Sequence, residues 1–141
     1  MIYEYIPKNF NPRFEIVSCF CKYDDKFLLL HRQDGKSQGD RWGLPAGKVE
    51  AGETYSRAIA RELFEETGIK ANHKDLVHFV KLYDRYSEYD FTADVFRINL
   101  NHLAPVKINP IEHKDFRWVS PSEALTINLV QDLDTVIRMF C

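Results

Sequence analysis

No segment of the 141 residues is apolar for long enough to suggest a membrane span, and the N-terminal MIYEYIPKNFNPRFE has acids and prolines where a signal peptide needs an apolar h-region. The expected location is therefore the cytoplasm. Cysteine is scarce: Cys19, Cys21 and Cys141 cannot all pair, and their spacing fits no common zinc pattern, which argues against a disulfide scaffold or a structural zinc module. Cys19 and Cys21 lie two apart in an apolar run and are expected on one face of a strand, as small hydrophobes. A strong charge of either sign is also lacking. Nineteen basic residues against 21 acidic ones leave a net charge of −2, which argues against a surface that coats a polynucleotide. A small anionic ligand stays compatible, because one site needs only a local field or a metal. With no repeat, low-complexity tract or linker, residues 1–141 read as a single domain.

What is present is an ordinary globular mixture, 45% hydrophobic and 28% charged, with spacing that defines elements. Phe14 to Tyr23, rich in β-branched, aromatic and cysteine residues, reads as a strand that turns at Asp24 and Asp25 into a second, Lys26 to Arg32, forming a hairpin. QDGKSQGDRWGLPAG, with four glycines and a proline, reads as a loop. Thr54 is suited to N-cap a helix over Tyr55 to Thr67, whose Ile59, Ala60, Leu63 and Phe64 form an apolar stripe at about 100° per residue. Leu76 to Tyr83 and Phe91 to Leu100 are further strands joined by a tyrosine-rich turn, and Phe116 to Val119 is a last short one. Leu129, Leu133, Val136, Ile137 and Phe140 recur at helical spacing. Strands interleaved with two helices imply an α/β domain whose mixed sheet is covered on both faces.

Against this regular background Glu62, Glu65 and Glu66 stand out, because they crowd the last turns of the first helix just before Gly68, the expected C′ residue. The negative end of the macrodipole and like charges at i, i+3 and i+4 both disfavour them there. A bound cation would reverse that penalty. Magnesium takes oxygen ligands, a few carboxylates with waters and phosphates completing the shell, and the three tips can converge on one or more ions. The glycine loop ahead of the helix can bring backbone close to the same point. Metal-assisted hydrolysis of a phosphate chain is the chemistry such a cradle suits. A solvated acidic helix face is the alternative for the glutamates taken alone.

The surrounding residues decide between these. Gly47, Glu53, Arg61, Glu62, Leu63, Glu65, Glu66, Gly68 and Ile69 fill every defined position of the pattern G-x5-E-x7-R-E-U-x-E-E-x-G-U, with U aliphatic, so that the segment resembles the Nudix box. The box covers about a sixth of the chain, and the preceding WGLPA resembles a lead-in often seen in that family. The resemblance implies a Nudix fold, a mixed β-sheet sandwiched between helices, and Mg²⁺- or Mn²⁺-dependent hydrolysis of a nucleoside diphosphate linked to a moiety X. It implies Glu62, Glu65 and Glu66 as metal ligands, with the Ala46 carbonyl as another. It pairs Arg61 with Glu53, leaving open whether Arg61 is an ion-pair residue or a catalyst.

Outside the box the signals thin. Glu112, in the loop before the last strand, stands where some Nudix enzymes carry a metal ligand or general base. Arg32 closes the second strand and suits phosphate contact, as does the Gly47 backbone; surface pairing is the alternative for Arg32. His113 is expected at the surface, and Trp42, Trp118 and the hairpin aromatics Tyr83, Tyr86, Tyr89 and Phe91 in packing. The partner implied is a small nucleotide, with a nucleoside triphosphate or damaged (deoxy)nucleotide first, then ADP-ribose or another nucleotide sugar, or a dinucleoside polyphosphate. A homodimer is compatible and unspecified. A non-catalytic nucleotide sensor is the alternative of another class, and the complete set of glutamates argues against it.

Overall fold

The computed structural model describes residues 1–141, which run as β1 (Ile2–Tyr3), β2 (Pro12–Tyr23), β3 (Lys26–Arg32), β4 (Trp42–Gly43), β5 (Ala46–Lys48), α1 (Tyr55–Thr67), β6 (Val77–Arg85), β7 (Asp90–Leu100), β8 (His113–Val119), α2 (Pro121–Ala124) and α3 (Leu133–Phe140). The sheet order is β1-β6-β7-β2-β3-β4, with β5 added to β2 and β8 to β3. Strand β2 organises it, lying parallel to β7 and antiparallel to β3 and β5, so the sheet is mixed.

Because side chains alternate along a strand, β2 serves two cores at once. Val17, Cys19 and Cys21 pack under α1 with Ile59, Leu63 and Ile98, whereas Phe20 packs on the other face with Leu82, Val136 and Ile137. Helices therefore cover both faces. Cys19 and Cys21 are free, buried and on one side, as their spacing requires. No helix is long and apolar enough to cross a membrane.

Four expectations change. The last helix starts at Leu133, not Leu129, because Asp132 adopts a left-handed backbone (φ 67°) and residues 128–130 run extended beside β4, where Trp42 N–H donates to Asn128 O (2.8 Å) and Val130 N–H to Trp42 O (2.9 Å). Phe64 is 48% exposed, and Ala58 and Thr67 take the inward positions of α1 instead. The glycine loop contains β4 and β5, too short to leave a periodic signal. His113 is only 3% exposed: β8 begins three residues earlier than expected, and its pairing with Arg32 turns the ring inward.

Candidate metal and phosphate site

Thr54 caps α1 by accepting a hydrogen bond from Arg57 N–H, and Gly68 ends it in the left-handed conformation (φ 75°), its N–H donating to Phe64 O. Between these stops the three acids meet different surroundings. Glu65 is 54% exposed at its side chain, while Glu62 is only 14% exposed and Glu66 is turned inward. Burial pushes the Glu66 carboxyl up to about 8, the charges of Glu62 and Glu112 adding to it, against the Ala46 N–H that donates to Oε1 (2.9 Å) and the charge of Arg32. Burial likewise raises Glu62, opposed chiefly by Arg61.

Arg61 ties the box together. Its Nε and Nη2 grip Glu53 Oε2 and Oε1 at 2.7 and 2.9 Å, Nη2 also donates to Lys48 O (3.0 Å), and Nη1 donates to Glu62 Oε1 (2.7 Å) and Glu65 Oε2 (3.3 Å). The paired guanidinium holds the Glu53 carboxyl down to about 2, assisted by the Glu50 N–H that donates to it. Lysine cannot reproduce a planar fork with five donors. Arg61→Lys is therefore expected to melt several degrees below the wild type and to lose roughly 10- to 100-fold in kcat. A melting curve and turnover matching the wild type would show that the fork is dispensable.

The approach of the glycine loop has a steric basis: a Cβ on Gly47 would lie 2.0 Å from the Glu62 carboxyl carbon. Strand β5 thus lies directly against that acid, its register fixed by Gly47 opposite Val17 and Ala46 opposite Ser18. The carboxylates do not converge as placed, since Arg61 draws Glu62 and Glu65 one way and Ala46 holds Glu66 another. The donor set nevertheless fits a hard divalent cation. It offers carboxylate oxygens, one with strongly raised proton affinity, in a cradle that an alanine would fill.

Arg32 donates Nε to Ser37 O (2.7 Å), and its charge reaches both Glu66 and His113. The charge of Glu112 also bears on Glu66 and His113, while its side chain pairs loosely with Lys36 (3.4 Å). Burial, then the Arg32 charge, depresses His113 to about 4, so the ring is neutral near pH 7; its Nδ1 has no hydrogen-bond partner. Sequence reasoning missed this histidine, because nothing in IEHKDFRWV marks which side of the strand it takes. Arg32, Ala46, Gly47, Lys48 and His113 line one end of a cavity of about 580 Å³, which runs along the α3 face of the sheet to Asp84 and Asp132.

An α/β/α sandwich that presents a glutamate-rich helix end, clamped by arginine and backed by a glycine strand, defines a class of proteins that act on phosphate chains. Residues 12–140 match the NUDIX domain family, and the chain belongs to the Nudix hydrolases, enzymes that cleave pyrophosphate bonds and generally use a divalent metal. Phosphatase NudJ of Escherichia coli K12 is 35% identical over 112 residues, 77% of this chain and 69% of that protein. The MutT protein of Methanosarcina mazei Go1 superposes with a TM-score of 0.73 at 29% identity, covering 92% of this chain and 93% of the other. A bifunctional NMN adenylyltransferase/ADP-ribose pyrophosphatase from Francisella tularensis, solved with AMP and a Mn ion, superposes with a TM-score of 0.72 at 25% identity, over 94% of this chain and 42% of its own.

Proposed function

We propose that this chain is a Mg²⁺-dependent hydrolase of the diphosphate bond in a nucleotide, with a nucleoside triphosphate as the first substrate class. The observation that carries the reading is Glu66, a half-buried carboxyl group held against the Ala46 backbone beside Glu62, whose ionised form is disfavoured there until a cation accompanies it. Glu62, Glu65, Glu66 and the Ala46 carbonyl would hold the ion. Bound there, a divalent cation neutralises phosphate oxygens and lowers the pKa of a water. The chain's own groups do the rest. Arg61 and Glu53 fix the helix acids, and Arg32 with Lys48 offsets phosphate charge at the cavity mouth. Glu112, the acid outside the helix whose charge bears on Glu66, accepts the proton of the attacking water. The water oxygen forms the new bond to phosphorus as the bridging P–O bond breaks, and the leaving phosphate departs with the electron pair.

The name of the phosphatase relative favours a second reading, release of a terminal phosphate in place of pyrophosphate. A panel of nucleoside di- and triphosphates, ADP-ribose and diadenosine tetraphosphate in Mg²⁺, with products identified, decides which bond is cut. EDTA is expected to abolish turnover, and millimolar Mg²⁺ to raise the melting temperature by relieving the clustered acids. Turnover that persists in EDTA, or binding of the panel without cleavage, would overturn the proposal.

A further inference from the structure

Glu112, the proton acceptor of the proposed reaction, sits on a turn outside every helix and strand, yet its charge bears on both Glu66 and His113. A base is useful only within hydrogen-bond reach of its proton, so something must aim that turn. Its own bonds give it shape. Asn109 O accepts from Glu112 N–H (3.1 Å) and His113 N–H (2.9 Å), Asn109 Oδ1 accepts from Ile111 N–H (3.1 Å), and Pro110 takes the turn position that its fixed φ suits. None of these bonds ties the turn to the rest of the sheet.

Gln33, the residue after β3, makes that connection. Its backbone N–H donates to Glu112 O (3.1 Å), and its side-chain Nε2 donates to Pro110 O (2.8 Å), with His113 O at 3.5 Å. One residue thus holds carbonyls before, at and after the base. Gln33 is in turn anchored through its neighbour, because Arg32 N–H donates to Arg41 O (2.9 Å) and Asp40 N–H to Arg32 O (3.2 Å). The loop between them is closed tightly: a Cβ on Gly39 would lie 2.2 Å from Asp34 O, and Lys114 Nζ ties Asp34 (2.7 Å) and Asp40 (2.8 Å) to β8. Lys36 also reaches Glu112, but at 3.4 Å and with the two side chains 37% and 44% exposed, and such a pair contributes little.

We infer that Gln33 is a positioning residue for the general base: its amide and backbone hold the turn of residues 110–113 so that the Glu112 carboxylate meets the attacking water. The inference rests on the reading of Glu112 as the proton acceptor. In this role Gln33 acts through Glu112 alone.

The test is a double-mutant cycle of Gln33→Met and Glu112→Gln, in Mg²⁺, with whichever nucleotide of the substrate panel is cleaved fastest. Methionine keeps the length of the side chain and removes the amide donor. Gln33→Met is expected to lower kcat roughly 10- to 100-fold with KM within about twofold of the wild type, as for a misplaced reacting group. Glu112→Gln is expected to lose at least as much, and the double variant to lose no more than Glu112→Gln, because the direction of the turn is immaterial once the base is gone. Amide hydrogen exchange in EDTA, without nucleotide, is expected to quicken over residues 109–114 in Gln33→Met and to stay unchanged in α1. Gln33→Glu, which sets carboxylate oxygens against Pro110 O and His113 O, serves if the methionine variant does not fold. Losses that multiply in the double variant, unchanged exchange at the turn, or wild-type turnover in Gln33→Met would overturn the inference and leave Glu112 as the base. Full turnover in Glu112→Gln would refute the base, and the inference with it, while hydrolysis itself stands. A wild type that cleaves nothing in the panel would overturn both readings.

Discussion

Glu66→Gln is expected to lower kcat by roughly 10²- to 10³-fold or more while the protein still folds. Glutamine keeps the shape of the side chain and an oxygen to accept from Ala46 N–H, so the link between α1 and β5 survives. Only the charge disappears. The direction of the stability change follows from proton binding. Folding raises the Glu66 carboxyl from 4.5 to about 8, so the native chain holds more protons than the unfolded one across that window. Its contribution is therefore fully present at low pH and is lost as pH rises towards 8, a swing on the order of a few kcal/mol. Asp84, raised from 3.8 to about 7, acts in the same direction; Glu53, held at about 2, contributes above its usual pKa and is lost only in acid. In EDTA the wild type is expected to melt lower at pH 8.5 than at pH 6. Glu66→Gln should lessen that decline, and so should Mg²⁺. Undiminished turnover in Glu66→Gln, or a pH decline identical in the two proteins, would contradict the role assigned to this carboxylate.

The second large effect is expected at a residue with no side chain. In Gly47→Ala the new methyl would lie 2.0 Å from the Glu62 carboxyl carbon and 2.3 Å from its Oε2. Something must move. Backbone paired to Val17 is costly to shift, so Glu62 yields, giving up its 2.7 Å bond from Arg61 Nη1 and its place beside the strand. Overpacking of this kind costs about 1–3 kcal/mol, and displacement of a supporting contact of a ligand about 10- to 100-fold in activity. Gly52→Ala is the control. Gly52 has a positive φ (83°) but open space around it, so the variant is strained without touching Glu62. Gly47→Ala is expected to lose far more turnover than Gly52→Ala at comparable melting temperature. Equal losses would show that backbone strain, not crowding of Glu62, sets the effect.

The sequence made some features legible for definite physical reasons. Helix α1 is bounded by chemistry that acts within a few residues: a threonine hydroxyl that caps, and a glycine that tolerates the left-handed turn. The Lys26 to Arg32 strand and its hairpin partner carry enough consecutive apolar residues to show themselves. Strand β5 has three residues, two of them Ala46 and Gly47, and forms because β2 offers it an edge, a long-range cause that no local window contains. The same holds for residues 128–130, whose helical spacing gives way to pairing with Trp42. Helix α2 is a third helix where two were expected; it was missed although it left a local sign, the reciprocal capping box that Ser120 and Glu123 form around Pro121.

Within the candidate site the residue types were legible and their electrostatics were not. Spacing placed Glu62, Glu65 and Glu66 on one arc of α1, yet it could not tell that Glu65 faces solvent while Glu66 is half-buried against Ala46. His113 and the Asp84–Asp132 end of the cavity were invisible for the same reason, because the far side of the sheet buries them.

The most direct measurement is an electron paramagnetic resonance titration of Mn²⁺, with AMP present, into the wild type and Glu66→Gln at pH 7.5. The wild type is expected to bind the ion and quench the free-ion signal, and the variant to bind at least about tenfold more weakly. Superimposable titration curves would mean that the metal is held elsewhere, and the account of the helix acids would fail.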